Sequence, residues 1–193
     1  MAGSAVHTVD LLATARRLAA HHRLCAMVAE ALCDVLAVPF EPALATAATL
    51  HDIGKLPILQ ELETPGPLTA EQRATLAAHP EASAVLLGAA GMHHAARLTL
   101  LHHERWDGKG YPYGIAGDAI PLPARILAAA DAIAAMLEHR PYRPTPDLAR
   151  ELAAASGTQL DPELAAAALK ILPRLLALPH LLLAGMENFD GSR

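Results

Sequence analysis

Apolar residues recur at three- and four-residue spacing along most of this chain, and this periodicity constrains its fold more than any other feature. Between Asp10 and Val38, the apolar positions that lie near one side of a helix are Leu11, Leu18, Cys25, Val28, Leu32 and Leu36. No segment shows the sustained two-residue alternation that is typical of a half-buried strand. We therefore predict an all-α protein, folded as a helical bundle.

Capping residues and prolines predict where the other helices begin and end. Thr69 and Gln72 have the spacing of a capping box, and Pro80 is tolerated at the start of the next helix. Gly54 and Pro57 are expected to end the second helix and to open a loop that reaches Leu68. We predict helices over Ala43–His51, Thr69–His79 and Pro121–Arg140, two between Pro80 and Leu101, and one after each of Asp147 and Asp161.

Length and charge restrict the function classes. The 193 residues are 53% hydrophobic and suffice for one domain, so we expect residues 1–193 to form a single domain. A net charge of −5 argues against binding long nucleic acid.

No signal peptide is visible, and Leu175–Met186 is too short to insert into a membrane. That segment is a candidate homodimer surface, although a packed C-terminal helix is the more ordinary interpretation. Two cysteines fit buried thiols in the cytoplasm.

Several of the eleven histidines stand in apolar surroundings. His21 shares a helix face with Cys25 and Val28 and is expected to point inward. His22 is turned by about 100° and is expected to meet solvent. Asp131 lies in the apolar segment "RILAAADAIAAML". Burying one carboxylate there costs several kcal/mol unless another group compensates its charge.

Seven such residues are expected to face the interior together. They lie on five helices or helix ends and are His21, His51, Asp52, His79, His102, His103 and Asp131. A single buried histidine is usually only hydrogen-bonded, but this set of five imidazoles and two carboxylates suits Fe, Mn or Zn better than Mg or Ca. Seven ligands are too many for one ion and about right for two ions that share a ligand. We predict a two-metal site.

Two motifs resemble a known family. "LHDIGK" (Leu50–Lys55) resembles the HD signature of metal-dependent phosphohydrolases, and "HHERWDGKGYP" (His102–Pro112) resembles the second signature of the HD-GYP subfamily. The lone HD pair is a weak motif, whereas the longer string is highly specific. The resemblance extends from about Arg16 to Leu172. It implies a helical domain that hydrolyses cyclic di-GMP to pGpG, and further to GMP, with a cluster of Fe or Mn ions.

The resemblance also implies roles for individual residues. One metal takes His21, His51 and Asp131, the other takes His79, His102 and His103, and Asp52 bridges both. Lys55 matches the lysine that contacts the scissile phosphate, which makes Asp52 and Lys55 the catalytic pair. Arg140 and Arg143 match basic positions that hold the phosphates and guanines of the ligand. Tyr111 is a candidate for contact with a ligand base, and packing within its loop is the alternative.

Four positions depart from the family pattern. Arg17 stands where some members have a glutamate that supports a third metal, so we expect two metals. Ala134 replaces an aspartate, Thr64 replaces a lysine and Ser83 replaces a glycine. None of these changes removes a ligand of the two-metal core, but Thr64 and Ala134 leave the affinity for substrate open.

The predicted chemistry is attack on a phosphodiester by a water that both metals hold, because coordination lowers the pKa of that water to around 7. In the second motif, we expect Glu104 and Asp107 to orient imidazoles and the glycines to allow tight turns. We expect Trp106 to pack within its loop.

Two further functions stay open. The chain could hydrolyse another cyclic dinucleotide or a nucleotide, or it could be a non-catalytic module that binds cyclic di-GMP or a diguanylate cyclase or sensor partner. Loss of hydrolysis on replacing Asp52 would favour the enzymatic interpretations, whereas a pure interaction module would keep its partner binding.

Overall fold

The structure is a computed structural model, and it describes residues 11–58, 69–138 and 147–178. Its helices are α1 (Leu11–Leu36), α2 (Pro42–Leu50), α3 (Ala70–Ala77), α4 (His79–Ala89), α5 (His93–Leu100), α6 (Leu122–Leu137), α7 (Leu148–Ala155) and α8 (Pro162–Lys170). Short 3-10 helices occupy Ile53–Ile58 and Gly117–Ala119, and residues 172–178 are also helical. These described ranges contain no β-strand, so the prediction of an all-α fold is confirmed.

Helix α1 is the centre of the bundle, because α2, α6 and α8 all pack against it. Its predicted inner face is confirmed, since Cys25, Val28 and Leu32 are fully buried. The helix ends where Ala37 adopts a left-handed conformation with φ +53°. The amide of Val38 then donates to the carbonyl of Cys33, as in a Schellman motif.

The predicted helix starts are largely confirmed. Thr69 and Gln72 form both hydrogen bonds of the capping box at the start of α3. The side chains of Asp147 and Asp161 accept main-chain hydrogen bonds at the starts of α7 and α8. The predicted extension of α6 to Arg140 is wrong at Glu138, which is extended and follows the last helical residue, Leu137, and residues 139–140 lie outside the described ranges.

The segment after α2 differs from the prediction. Helix α2 ends at Leu50, and Gly54 and Pro57 lie inside the 3-10 helix Ile53–Ile58 instead of opening a loop. This short helix packs against α4, and the amide of Lys55 donates to the carbonyl of Asp52 at 2.9 Å. The HD motif is thereby held in regular structure. The rest of the predicted loop, residues 59–68, falls outside the described ranges.

Of the candidate homodimer surface Leu175–Met186, the structure describes only residues 175–178, and the remainder lies outside the described ranges. Leu175 and Leu178 are buried in the core, whereas Leu176 is exposed. No helix among the described residues has the length and apolar character needed to cross a membrane. Both cysteines are free and buried, as the sequence predicted.

Candidate metal centre

Five parts of the fold converge on one buried cluster of imidazoles and carboxylates. The predicted ligands that the structure brings together are His21 on α1, His51 and Asp52 after α2, His79 at the start of α4, His102 and His103 after α5, and Asp131 on α6. They form two groups, His79 with His102 and His103, and His21 with His51 and Asp131. Within each group, one ligand atom per residue lies within 4.8 Å of the others.

The first group presents three imidazole nitrogens to one point. His79 Nε2 lies 3.3 Å from His102 Nε2 and 3.2 Å from His103 Nε2. The Nδ1 atoms of His79 and His102 each lie 2.5 Å from a main-chain carbonyl, of Leu76 and Thr99 respectively. A carbonyl only accepts, so each Nδ1 carries a hydrogen, and once the rings are neutral each Nε2 turns a lone pair inward. Facing lone pairs do not bond one another, and a cation between them satisfies both.

Burial keeps these rings able to bind a metal. Together with the neighbouring His103 and His51, it holds the pKa of His102 well below its usual range. Burial also lowers the pKa of His103 to about 4. Both rings are therefore neutral at pH 7, which is the state that metal coordination requires.

The second group joins two histidines to a carboxylate. His21 Nε2 lies 2.9 Å from Asp131 Oδ1, and His51 Nε2 lies 3.6 Å from the same oxygen. His51 Nδ1 lies 3.2 Å from the carbonyl of Ala48, so its Nε2 also turns a lone pair inward. Among the described residues, this buried Nε2 has no hydrogen-bond partner. An acceptor nitrogen beside an acceptor oxygen fits a site for a cation.

Glu138 belongs to this group, although the sequence did not identify it. Its Oε1 lies 2.8 Å from His21 Nδ1. Burial lowers the pKa of His21, but hydrogen bonds to Asp131 and Glu138 outweigh it and raise that pKa to about 10. A carboxylate on the second ring nitrogen orients a metal-binding histidine. The available signal was spacing, because Glu138 follows Asp131 by two helical turns.

Asp52 lies between the two groups. Its Oδ1 is 3.0 Å from His79 Nε2, and its Oδ2 is 3.5 Å from His51 Nε2. Lys55 Nζ lies 2.6 Å from Oδ2. Burial raises the pKa of Asp52, but the contacts with His79, His51 and Lys55 outweigh it and hold that pKa well below its usual range. One oxygen faces each group, which is the position a bridging ligand requires.

The prediction that His22 meets solvent is wrong. His22 is only 7% exposed, and its ring centre lies 4.9 Å from that of His51. Burial and the neighbouring His51 lower its pKa to about 4. Helical spacing gives the angle between two side chains, but it does not show how many faces of the helix are covered by other helices. Several helices pack against α1, so the face that carries His22 is buried as well.

The expectation that Glu104 and Asp107 orient imidazoles is also wrong. Glu104 accepts from the amides of Tyr113 and Gly114, at 2.7 and 3.2 Å. Asp107 accepts two hydrogen bonds from Arg105. Both carboxylates therefore hold the glycine-rich loop together. Main-chain carbonyls three residues before each ring orient His51, His79 and His102 instead.

The aromatic residues of the loop divide between packing and the site. Trp106 packs beneath the guanidinium of Arg125, which lies 5.4 Å from the ring centre, in agreement with the predicted packing. Tyr111 stacks on His103 with ring centres 4.9 Å apart and is 38% exposed. A cavity of about 220 Å³ opens beside it, lined by residues that include His103, Lys109, Tyr111, Asp131 and Gln159. Arg140, Arg143 and Thr64 lie outside the described residues.

A family comparison agrees with this geometry. A family model described as "HD domain" matches residues 8–164. The chain belongs to the HD domain family. HD domains bind divalent metals, and this chain has histidine and aspartate clusters that could hold them. This match, together with the relatives and the solved structure described next, confirms the resemblance to HD-GYP proteins that the two motifs indicated.

Two relatives and one solved structure illustrate the similarity. The cyclic di-GMP phosphodiesterase response regulator RpfG of Xanthomonas campestris is 45% identical over 101 residues, which cover 50% of this chain and 27% of the relative. The 3'3'-cGAMP-specific phosphodiesterase 3 of Vibrio cholerae is 41% identical over 143 residues, which cover 69% of this chain and 31% of the relative. The chain thus spans less than a third of either. Bd1817, an HDG"Y"P protein from Bdellovibrio bacteriovorus, superposes with a TM-score of 0.65 at 18% identity, covering 81% of this chain and 52% of that chain, and shares the fold.

Proposed function

We propose that this chain is a metal-dependent phosphodiesterase that hydrolyses cyclic di-GMP to pGpG and then to GMP. The observation that carries the proposal is the position of Asp52, whose two oxygens face two separate groups of side chains that could hold a metal ion. The similarity to the cyclic di-GMP phosphodiesterase RpfG supports the choice of substrate. We further propose that residues 1–193 act as one HD-GYP-like domain.

The proposed cofactors are two divalent cations, Fe or Mn. His21, His51 and Asp131 would hold one, and His79, His102 and His103 would hold the other, with Asp52 shared. When bound, such a pair neutralises charge on the phosphate and supplies a water whose pKa is near 7. The site suits that task, because the Nε2 atoms of His51, His79 and His102 point inward. Its carboxylates Asp52 and Asp131 are ionised, since their pKa values are held well below the usual range.

Lys55 is proposed to stabilise charge on the scissile phosphate or on the leaving oxygen. Its ammonium group is partly exposed and is anchored to Asp52 Oδ2 at 2.6 Å. A fixed positive charge beside the reacting phosphate lowers the energy of the transition state without reorganising during the reaction. Lys55 therefore fits a catalytic role that depends on Asp52 for its position.

The cavity beside Tyr111 is proposed to receive part of the substrate. Tyr111 already stacks on His103, so its ring is fixed at the edge of the metal-binding group. Lys109 and Gln159 on the cavity wall offer hydrogen-bond donors. Roles for Arg140 and Arg143 in holding phosphate and guanine stay predictions from the sequence.

A second candidate substrate is 3'3'-cGAMP. The observation that favours it is the relative from Vibrio cholerae with 41% identity, whose name states that specificity and whose match covers more of this chain than the match to RpfG. Both substrates are cyclic dinucleotides, so the same two-metal chemistry would serve either.

A nucleotide panel tests the proposal. Metal-loaded protein is incubated with cyclic di-GMP, 3'3'-cGAMP, cyclic di-AMP, pGpG and a phosphomonoester, and products are resolved by chromatography. We expect turnover of cyclic di-GMP, loss of all turnover in Asp52→Ala, and full turnover in the exposed-site control His94→Ala. Turnover of 3'3'-cGAMP alone would change the substrate, and no turnover of any cyclic dinucleotide would overturn the proposal.

A further inference from the structure

His22 lies beside the candidate metal centre, but the proposed two-metal scheme gives it no role. It follows His21 on α1, is buried, and lies with its ring centre 4.9 Å from that of His51 and 6.1 Å from that of His21. Among the described residues, its buried Nε2 has no hydrogen-bond partner. Unpaired buried polar atoms are rare in folded proteins, and each needs a physical explanation such as a bound ion.

The neighbours of His22 point to that explanation. His22, His51 and Asp52 form a third group, in which one ligand atom from each residue lies within 4.8 Å of the others. His51 Nε2 likewise lacks a hydrogen-bond partner among the described residues. Two unpaired imidazole nitrogens beside a carboxylate are the donor set that binds transition metals.

We propose that His22 is an additional ligand of the cation on the His51 side of Asp52. This inference rests on the proposed metal-dependent function. The cation would then gain a further imidazole from His22, whose ligand atom lies within 4.8 Å of those of His51 and Asp52. A nitrogen-rich site prefers Zn²⁺, Fe²⁺ or Co²⁺ over Mn²⁺, which favours oxygen ligands. His22 would thereby bias the metal preference of one of the two sites.

Metal titration of matched variants tests this role. Metal-free wild type, His22→Gln, His79→Gln and the exposed control His94→Gln are titrated with Zn²⁺ and Mn²⁺ against a competing chelator. Bound metal is counted after desalting, and the visible spectrum is recorded with Co²⁺. We expect His22→Gln to lower the Zn²⁺ affinity at least about tenfold, because even the loss of a residue that only orients a ligand costs about that much. The loss in Mn²⁺ affinity should be smaller. We also expect an altered Co²⁺ spectrum and no change in His94→Gln.

A second variant separates ligation from structure. His22→Leu fills a similar volume and removes an unpaired buried nitrogen, so its metal-free form should unfold at the same temperature as wild type or higher, while its Zn²⁺ affinity falls. If His22→Gln and His22→Leu both bind Zn²⁺ and Co²⁺ like wild type while His79→Gln does not, the inference about His22 fails and the metal centre stands. If wild type binds no metal, the proposed function and this inference both fail.

Discussion

At the scale of single residues, the orientation of three site histidines follows from where helices end. His51, His79 and His102 each lie near a helix end, where the carbonyls lack the amide that a continuing helix supplies four residues later. Each ring turns its Nδ1 to the carbonyl three residues earlier. His21 lies in the middle of α1, where the carbonyls are used within the helix. A side chain has to take their place, and Glu138 does so.

We predict that Glu138→Ala weakens metal binding at the His21 group by about 10- to 100-fold, because the ring loses the acceptor that orients it. Chelator competition with Zn²⁺ measures this, and an excess of metal should restore occupancy. Glu30→Ala, an exposed glutamate on α1, is the matched control and should leave the affinity unchanged. Equal affinity in wild type and Glu138→Ala would show that the hydrogen bond does not orient His21.

At the scale of elements, the HD motif depends on the contact between the 3-10 helix Ile53–Ile58 and α4. Gly54 lies so close to α4 that an added Cβ would be 2.5 Å from the carbonyl oxygen of His79 and 2.7 Å from the amide nitrogen of Ser83. The Gly54 amide also donates to Ser83 Oγ at 2.9 Å. Serine at position 83 therefore takes part in the contact that places Asp52 beside His79.

We predict that Gly54→Ala lowers the free energy of unfolding by about 1–3 kcal/mol, because two main-chain segments have to separate to admit the methyl group. Urea unfolding measures the loss, and metal content should fall as Asp52 moves away from His79. Gly88→Ala, within α4, is the control. An added Cβ there meets nothing within 4 Å, so helix propensity should stabilise the protein by up to about 1 kcal/mol. Equal effects of the two substitutions would contradict the close contact.

The glycine-rich loop depends on Glu104, which accepts two amide hydrogen bonds from the far side of the loop. We predict that Glu104→Ala costs about 1–3 kcal/mol, the usual range for removing a partner of a buried hydrogen bond. Thermal unfolding measures the cost. Asp118→Ala should have no measurable effect, because Asp118 is 89% exposed and its ion pair with Arg125 is solvated. An equal loss of stability in both variants would contradict a specific role for the two hydrogen bonds that Glu104 accepts.

At the scale of the whole molecule, the sequence predicted the helices and the residues that gather in the buried cluster better than it predicted the groups that orient those residues. Apolar spacing and helix capping depend on residues that are close in sequence, so α1 and the capped starts of α3, α7 and α8 were predictable. The burial of His22 was not, because it depends on how many helices cover α1. Glu104 looked like a partner of the adjacent histidines, but its direction is set by the path of the loop.

The same packing predicts that the stability of the whole molecule depends on bound metal. Without a cation, lone pairs of several buried imidazoles face one another or a carboxylate, so a ligand that binds only the folded chain should stabilise it. At a metal concentration 100 times the dissociation constant, the gain is about 2.7 kcal/mol, which corresponds to about 5–10 °C in a chain of this size. We predict such a rise in unfolding temperature with Zn²⁺ or Mn²⁺, reversed by a chelator. Ca²⁺ should give none, because it binds oxygen ligands. An equal rise with Ca²⁺, or none with any metal, would contradict a nitrogen-rich metal centre in this fold.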